Sequence, residues 1–464
     1  MMIFVGLLGG YLTLLAGGFG ITLLLRRQIA RVNLAECCCL SWLFGMGAVS
    51  LLLWVLGFVV SGSVLFALVA LCCLSLAITG WVRAARSGTR FFLPRPSNLF
   101  EWIMVLFVAC EIGIVLLISL QRPLGWDGLL MWEAKARFAF LSGNVLPEQY
   151  YVSGRSLTHP EYPLGIPLTE LWLYIWMGEP HQFLIKTVFA TFYACGVGLL
   201  GIIATRLTGK RWIGYVIAAL FFFVPHEIVR PGSATFGYVD FPISVVYLAA
   251  AGYLLLFLQS DSKYDFRIYV TALALLPWLK REGLILWMIA ALAGAAVILV
   301  RKKPRAWLFA FLPGAFIGLA WTLYLRAVHV QASQEFFPVS WRLLSENGGR
   351  LLVTWRTMLG EMANPQMWGM FWLIAAVALI YLLCSIRKLW VAVLLWSALI
   401  PVLAYTSIYI FSTTIDYVVH IKLSLSRLLM QVVPVFWLAI AAALAMPWKA
   451  KQPPAAPLAD LHGR

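Results

Sequence analysis

Residues 100–120 read FEWIMVLFVACEIGIVLLISL, and Glu101 and Glu111 are the only charged side chains in that run. Wound as an α-helix, about 20 predominantly apolar residues span the hydrocarbon core of a bilayer. Comparable runs lie at 2–25, 37–60, 63–82, 182–205, 238–258, 283–300, 306–326, 367–385, 389–411 and 425–446. Two shorter runs, 212–226 and 266–279, cross only with tilt, local thinning or protein neighbours. The pattern predicts an all-α polytopic membrane protein with about 13 transmembrane helices.

Composition leads to the same class. Of 464 residues, 62% are hydrophobic and 12% charged, with mean hydropathy +0.89. Soluble domains carry about a quarter charged residues, so this chain has too little polar surface to face water alone. The formal charge of +16 does not indicate nucleic acid, because the basic residues cluster in short loops between apolar runs. All eight cysteines fall in apolar runs and form no CxxC. That excludes a zinc or disulfide framework and leaves them as small core residues.

Charge placement predicts orientation. No basic residue precedes the first apolar run, whereas Arg26, Arg27 and Arg31 follow it, the reverse of a cleaved signal. With the N-terminus outside, the inside loops hold the clusters Arg83–Arg95, Arg206–Arg211, Arg301–Arg305 and Arg387–Lys388. This obeys the positive-inside rule at every alternation and puts the C-terminus in the cytoplasm. The Pro-rich tail after Lys449 is expected to be disordered. Polar chain then accumulates outside, in segments 121–181 and 327–366, which makes that face the expected seat of function. Within the first segment, 128–142 is expected to lie on the membrane as an amphipathic helix with a Glu133–Arg137 i,i+4 pair. The stretch Leu164–Met177, interrupted by Pro167 and Glu170, is expected to be interfacial.

Soluble catalytic motifs such as GxGxxG, HExxH and GxSxG are absent. Polar clusters instead sit at the outer ends of helices. Asp127, in Gly125-Trp126-Asp127-Gly128, could serve as a base or simply cap the helix that follows. His159, Glu161 and Tyr162 lie between Pro160 and Pro163, either shaping a binding site or forming a rigid lead-in. Asp240 opens a helix, again as a site residue or a cap. Lys280, Arg281 and Glu282 are charges flanked by apolar chain, and such clusters tend to line polar cavities. His420, Lys422 and Arg427 suit an anionic head group, or else snorkel. Carboxylates beside Lys and Arg suit group transfer from a lipid phosphate: a base for the acceptor, cations for the departing phosphate. They equally suit anionic lipid binding or transport. Glu111, inside an apolar run, has no such assignment.

Taken in order, Gly-Trp-Asp127-Gly, the Trp132–Arg137 helix, His-Pro-Glu-Tyr-Pro-Leu-Gly, Tyr-Val-Asp240-Phe-Pro, Lys-Arg-Glu-Gly and the run from His420 to Gln431 resemble the GT-C-fold glycosyltransferases. The nearest likeness is to bacterial glycosyltransferase family 39, akin to protein O-mannosyltransferases and aminoarabinose transferases. The resemblance covers about residues 100–446. It implies a catalytic membrane region there, a three-helix N-terminal extension at 1–99 and a tail at 447–464. It also implies a polyprenyl-phosphate sugar donor, an inverting displacement and Asp127 as general base. Relatives carry two adjacent acidic residues in the first loop, whereas Gly128 follows Asp127 here.

The expectation is therefore a glycosyltransferase in the bacterial cytoplasmic membrane with its active face outward. Its partners would be the lipid-linked donor, membrane lipids and a glycan, lipid or protein acceptor, with no nucleic acid. Asp127 would be catalytic, and His159, Glu161, Tyr162, Asp240, Lys280, Arg281, His420, Lys422 and Arg427 would bind substrate. No organic cofactor is implied, and a divalent cation stays open. The alternatives are a lipid or solute transporter, or an oligosaccharide polymerase or ligase.

Overall fold

A computed structural model describes residues 2–26, 31–146, 159–330, 335–414 and 416–450, the last four by backbone only. Residues 1, 27–30, 147–158, 331–334, 415 and 451–464 lie outside the described residues. The longer helices are α1 (Met2–Leu25), α2 (Leu34–Leu56), α3 (Gly62–Arg86), α4 (Leu99–Gln121), α5 (Ala134–Ser142), α6 (Gly165–Met177) and α7 (Thr187–Thr208). They continue as α8 (Arg211–Phe221), α9 (Asp240–Ser260), α10 (Lys263–Leu279), α11 (Glu282–Val300), α12 (Leu312–Ala327) and α13 (Arg350–Met362). The last are α14 (Phe371–Leu383), α15 (Leu389–Ile408), α16 (Tyr417–Met430) and α17 (Val433–Ala450). A short parallel pairing of Arg31–Asn33 with Arg90–Phe92 ties the chain ahead of α2 to the chain after α3.

Among the described residues nine helices are long and apolar enough to cross a membrane, or ten if α16 and α17 form one bent span. Helices α3, α4 and α12 expose Val64, Leu71, Leu106, Leu117, Phe316 and Leu319, a surface that only lipid can solvate. The chain is an all-α, multi-pass membrane protein. At its centre stands α9, buried on every side from Asp240 to Leu258. A helix apolar all round belongs in such a position. It packs against α7, α10, α11, α15, α16 and α17.

Several expectations need correction. The run 425–446 is not one helix: the chain bends by 49° between α16 and α17. Pro434 accounts for this, since it has no N–H and its ring collides with the carbonyl four residues earlier. Helix 128–142 starts with a π-helical turn, Gly128–Glu133, and does not lie free on the membrane. Its Trp132, Glu133, Lys135, Ala136 and Ala139 are buried, and α5 packs on α6. The Glu133–Arg137 pair forms as expected at 2.7 Å. The supposedly interfacial stretch is α6, enclosed by α1, α2 and α5, with only Ile175 and Trp176 of its residues not buried. Of the cysteines, Cys37, Cys73 and Cys195 are buried, but Cys38, Cys110 and Cys384 are exposed on helix surfaces.

Polar side chains gather at the two ends of α9, about 30 Å apart by helix rise. At its C-terminal end, Glu36 accepts from Arg26 (2.8 Å), Arg206 (2.8 Å) and the Tyr253 hydroxyl (2.5 Å). Arg206 also pairs with Asp265 at 2.7 Å, and Asp265 accepts from Ser260 at 2.9 Å. Glu36 and Asp265 lie in first helical turns and Arg206 in a last turn, each placed favourably in its helix dipole. The network joins α1, α2, α7, α9 and α10. Glu36→Gln leaves the buried Arg26 guanidinium without its charge partner and Arg206 with Asp265 alone, and breaking such a buried pair typically costs about 3–5 kcal/mol. The expected outcome is a clearly lowered thermal midpoint in detergent, and an unchanged midpoint would remove this network from the determinants of the fold.

Candidate functional site

The other end of α9 is assembled from loops that touch backbone to backbone. The turn after α4 lies on the segment leading into α9, with the Gly125 N–H donating to the Phe236 carbonyl at 2.9 Å. A Cβ on Gly128 would sit 2.8 Å from the Phe236 carbonyl oxygen and 2.9 Å from that of Gly237, so only glycine fits. Gly237 takes φ +77°, a left-handed turn just ahead of α9. This close approach brings Asp127 beside Asp240.

Arg427, near the end of α16, joins the two aspartates. Its Nη2 lies 2.7 Å from Asp127 Oδ2 and 2.8 Å from Asp240 Oδ2, and its Nε donates to the same Asp240 oxygen at 3.1 Å. The guanidinium is 4.8 Å from the centroid of the Tyr238 ring, a cation–π contact. Lys280, extended between α10 and α11, donates from Nζ to Asp240 Oδ1 at 2.7 Å and meets Glu282 Oε1 at 2.7 Å. Burial pulls the Lys280 ammonium down, but Asp240 and Glu282 outweigh it and hold its pKa above the ordinary lysine value. Gln431 donates to Asp240 Oδ1 at 3.0 Å and accepts from the Tyr405 hydroxyl at 2.7 Å.

Neither aspartate acts as a helix cap. Asp127 already has helical backbone angles and makes no side-chain cap bond, and Asp240 is inside α9 with its carboxylate on Lys280, Arg427 and Gln431. The capping alternative for both is excluded in favour of charge pairing.

A second layer adjoins this cluster. Buried His159 takes φ +43°, a strained backbone for a residue with a β-carbon. Its Nδ1 lies 3.1 Å from Glu161 Oε1 and its Nε2 3.6 Å from Glu335 Oε1, so the two long polar segments meet here. Arg281 approaches Glu161 at 3.6 Å. Tyr162 stacks between His159 (5.1 Å) and Trp132 (5.3 Å). Burial, then Glu282 and Glu335, push its phenol well above its ordinary value, and it feels Arg281 and Arg427 as well. Tyr162 thus links the layers. His420 sits at the edge, its Nδ1 2.8 Å from the Ser412 hydroxyl and its ring 5.1 Å from Phe336. Lys422 is exposed and joins none of these contacts.

Buried neutral groups flank the cluster. Burial, then Asp240, raises Glu227 well above a normal carboxylate, and burial lowers His226 to about 4. Glu111 is buried in α4, and its carboxylate oxygens have no partner among the described residues. Among the described residues no group of three or more His, Cys, Asp or Glu is arranged to hold a metal ion.

Sequence reasoning missed Gln431, Tyr405, Glu335 and Lys135. Gln431 had a signal, a lone amide in the apolar run LLMQVVP. Tyr405 had none, being one tyrosine among 17. No protein-family model, no curated protein and no solved structure matches the chain.

Lys135 generates a pH prediction. Its buried Nζ donates to the His159 carbonyl at 2.8 Å and the Tyr162 carbonyl at 3.1 Å. Burial lowers its pKa from 10.5 to about 7, with Glu161 opposing. An amine can make both bonds without the extra proton. Between about pH 7 and 10.5 the unfolded chain therefore binds more protons than the folded one, and this lysine makes stability rise with pH. Thermal midpoints of wild type minus Lys135→Met should climb across that window. A flat difference would contradict the assignment.

Proposed function

We propose that this protein is a membrane glycosyltransferase that moves a sugar from a polyprenyl-phosphate donor to an acceptor hydroxyl at the outer face of the cytoplasmic membrane, with inversion. One observation supports this reading above the rest. Asp127, Asp240, Lys280 and Arg427 come from four distant parts of the chain and meet in one buried charge cluster at one end of the membrane helices. Asp127 is the general base, Arg427 and Lys280 bind the donor phosphate, and Asp240 fixes both cations.

The surroundings favour a lipid-borne phosphate. Val419, Leu423 and Arg427 follow one another at i,i+4 spacing on α16, and the two apolar members are exposed. A polyprenyl tail lying along that stripe brings its phosphate to Arg427. The His159–Tyr162 layer then borders the sugar and acceptor.

Three outcomes are expected. Asp127→Asn should fold normally yet transfer labelled sugar from polyprenyl phosphate at least ~10²-fold more slowly, the usual scale for general-base loss. Wild-type rates in folded Asp127→Asn would reassign the base. Arg427→Ala should weaken donor binding more than acceptor binding, and equal donor affinity would take Arg427 out of the phosphate site. In a cysteine-free background, Ser345→Cys should react with impermeant thiol reagents in intact cells while Ser87→Cys stays silent. The opposite pattern would invert the orientation.

A further inference from the structure

The inner cluster has no cation to spare. Lys280 and Arg427 are in contact with three carboxylates, those of Asp127, Asp240 and Glu282. At formal charges the group is net negative, so an anionic phosphate cannot join it while every ion pair stays closed. One carboxylate has to give way.

The geometry singles out which one. Asp240 is wholly buried and takes hydrogen bonds from Lys280, from Nε and Nη2 of Arg427, and from Gln431. Glu282 pairs with Lys280 at 2.7 Å. Asp127 has a single ion-pair partner among the described residues, Arg427, and no capping bond. Asp127 is itself buried, but the residue before it, Trp126, is 67% exposed. Both hydrogen bonds from the guanidinium are aimed at Asp240, and Asp127 is held by proximity of charge.

Resting on the glycosyltransferase reading, we infer that donor phosphate and the Asp127 carboxylate are exchangeable partners of Arg427, so that loading the donor unmasks the base. A phosphate oxygen replaces a carboxylate oxygen on a guanidinium without change of geometry. While paired with Arg427, Asp127 has its Oδ2 occupied by the guanidinium 2.7 Å away, so that oxygen is not open to an acceptor hydroxyl. Once displaced, it stands beside the phosphate-linked anomeric carbon. The acceptor oxygen then bonds to that carbon while its proton passes to Asp127. The bond between the anomeric carbon and the phosphate oxygen breaks, and its electron pair stays on the phosphate, held by Arg427 and Lys280. The base is thereby exposed only when a lipid phosphate occupies Arg427, and donor binds before acceptor.

The test is equilibrium binding of labelled polyprenyl phosphate, carrying no sugar, to the full-length protein in nanodiscs. Exchange predicts that Asp127→Asn and Asp127→Ala both bind this probe more tightly than wild type, by about tenfold or more, because the competing anion is gone. Arg427→Ala should lose binding. If Arg427→Ala loses binding but neither Asp127 variant gains, the exchange is wrong and the phosphate site stands. If Arg427→Ala binds normally, the phosphate site itself is wrong. Phosphatidylglycerol is the comparison lipid, and an equal gain with it would overturn the assignment of the exchanging anion to the donor.

Discussion

Arg427 is held between two carboxylates, one in the turn after α4 and one in the first turn of α9, and the arrangement of this end of the molecule follows from that. A guanidinium at this depth, with Asp240 wholly buried, is stable only if its charge is matched and its donors are used. Asp240 meets that requirement and in turn needs Lys280 and Gln431 to occupy its other oxygen. Gln431 is oriented by Tyr405, and Lys280 is balanced by Glu282. Removing one member would strand another, so α9, α11, α15 and α16 are fixed relative to one another through a handful of polar contacts. In an apolar bundle, where packing alone specifies position weakly, such contacts set register.

The same reasoning explains the opposite end. Glu36 collects two arginines and a tyrosine there, and Asp265 shares Arg206. Between the two ends α9 carries no charged residue, with small residues Ala249, Ala250, Ala251 and Gly252 admitting close neighbours. The helix thus acts as a spindle with a polar clamp at each end. One clamp closes on itself through paired arginines, whereas the other includes Asp127, whose one ion pair among the described residues is with Arg427.

Much of this could be read before any coordinates. The apolar runs marked the helices because lipid demands length and hydropathy together. The polar clusters at the ends of those runs contained Asp127, Asp240, Lys280 and Arg427 because charges at such depth are kept only for a purpose. Their pairing was not legible. Spacing along the chain cannot distinguish an aspartate that caps a helix from one that neutralises an arginine, and only the glycine-mediated contact of the 125–128 turn with 236–237 resolves it. The buried position of α6 was hidden because its Pro167 and Glu170 suggest an interface in a linear reading. The break ahead of α17 was legible at Pro434 and had been subsumed in the hydropathy of the run. Lys135 was unreadable, since nothing in its neighbourhood announces a buried amine organising two carbonyls more than 20 positions further along the chain.

The central claim is that this cluster receives the phosphate of a lipid-linked sugar. A cryo-electron-microscopy map of the full-length protein in nanodiscs loaded with polyprenyl phosphate tests it most directly. The account predicts phosphate density against Arg427 and Lys280, Asp240 still on both cations, and Asp127 turned away. Phosphate density at the opposite polar end, near Arg26 and Arg206, or an intact Asp127–Arg427 pair beside a bound phosphate, would contradict it.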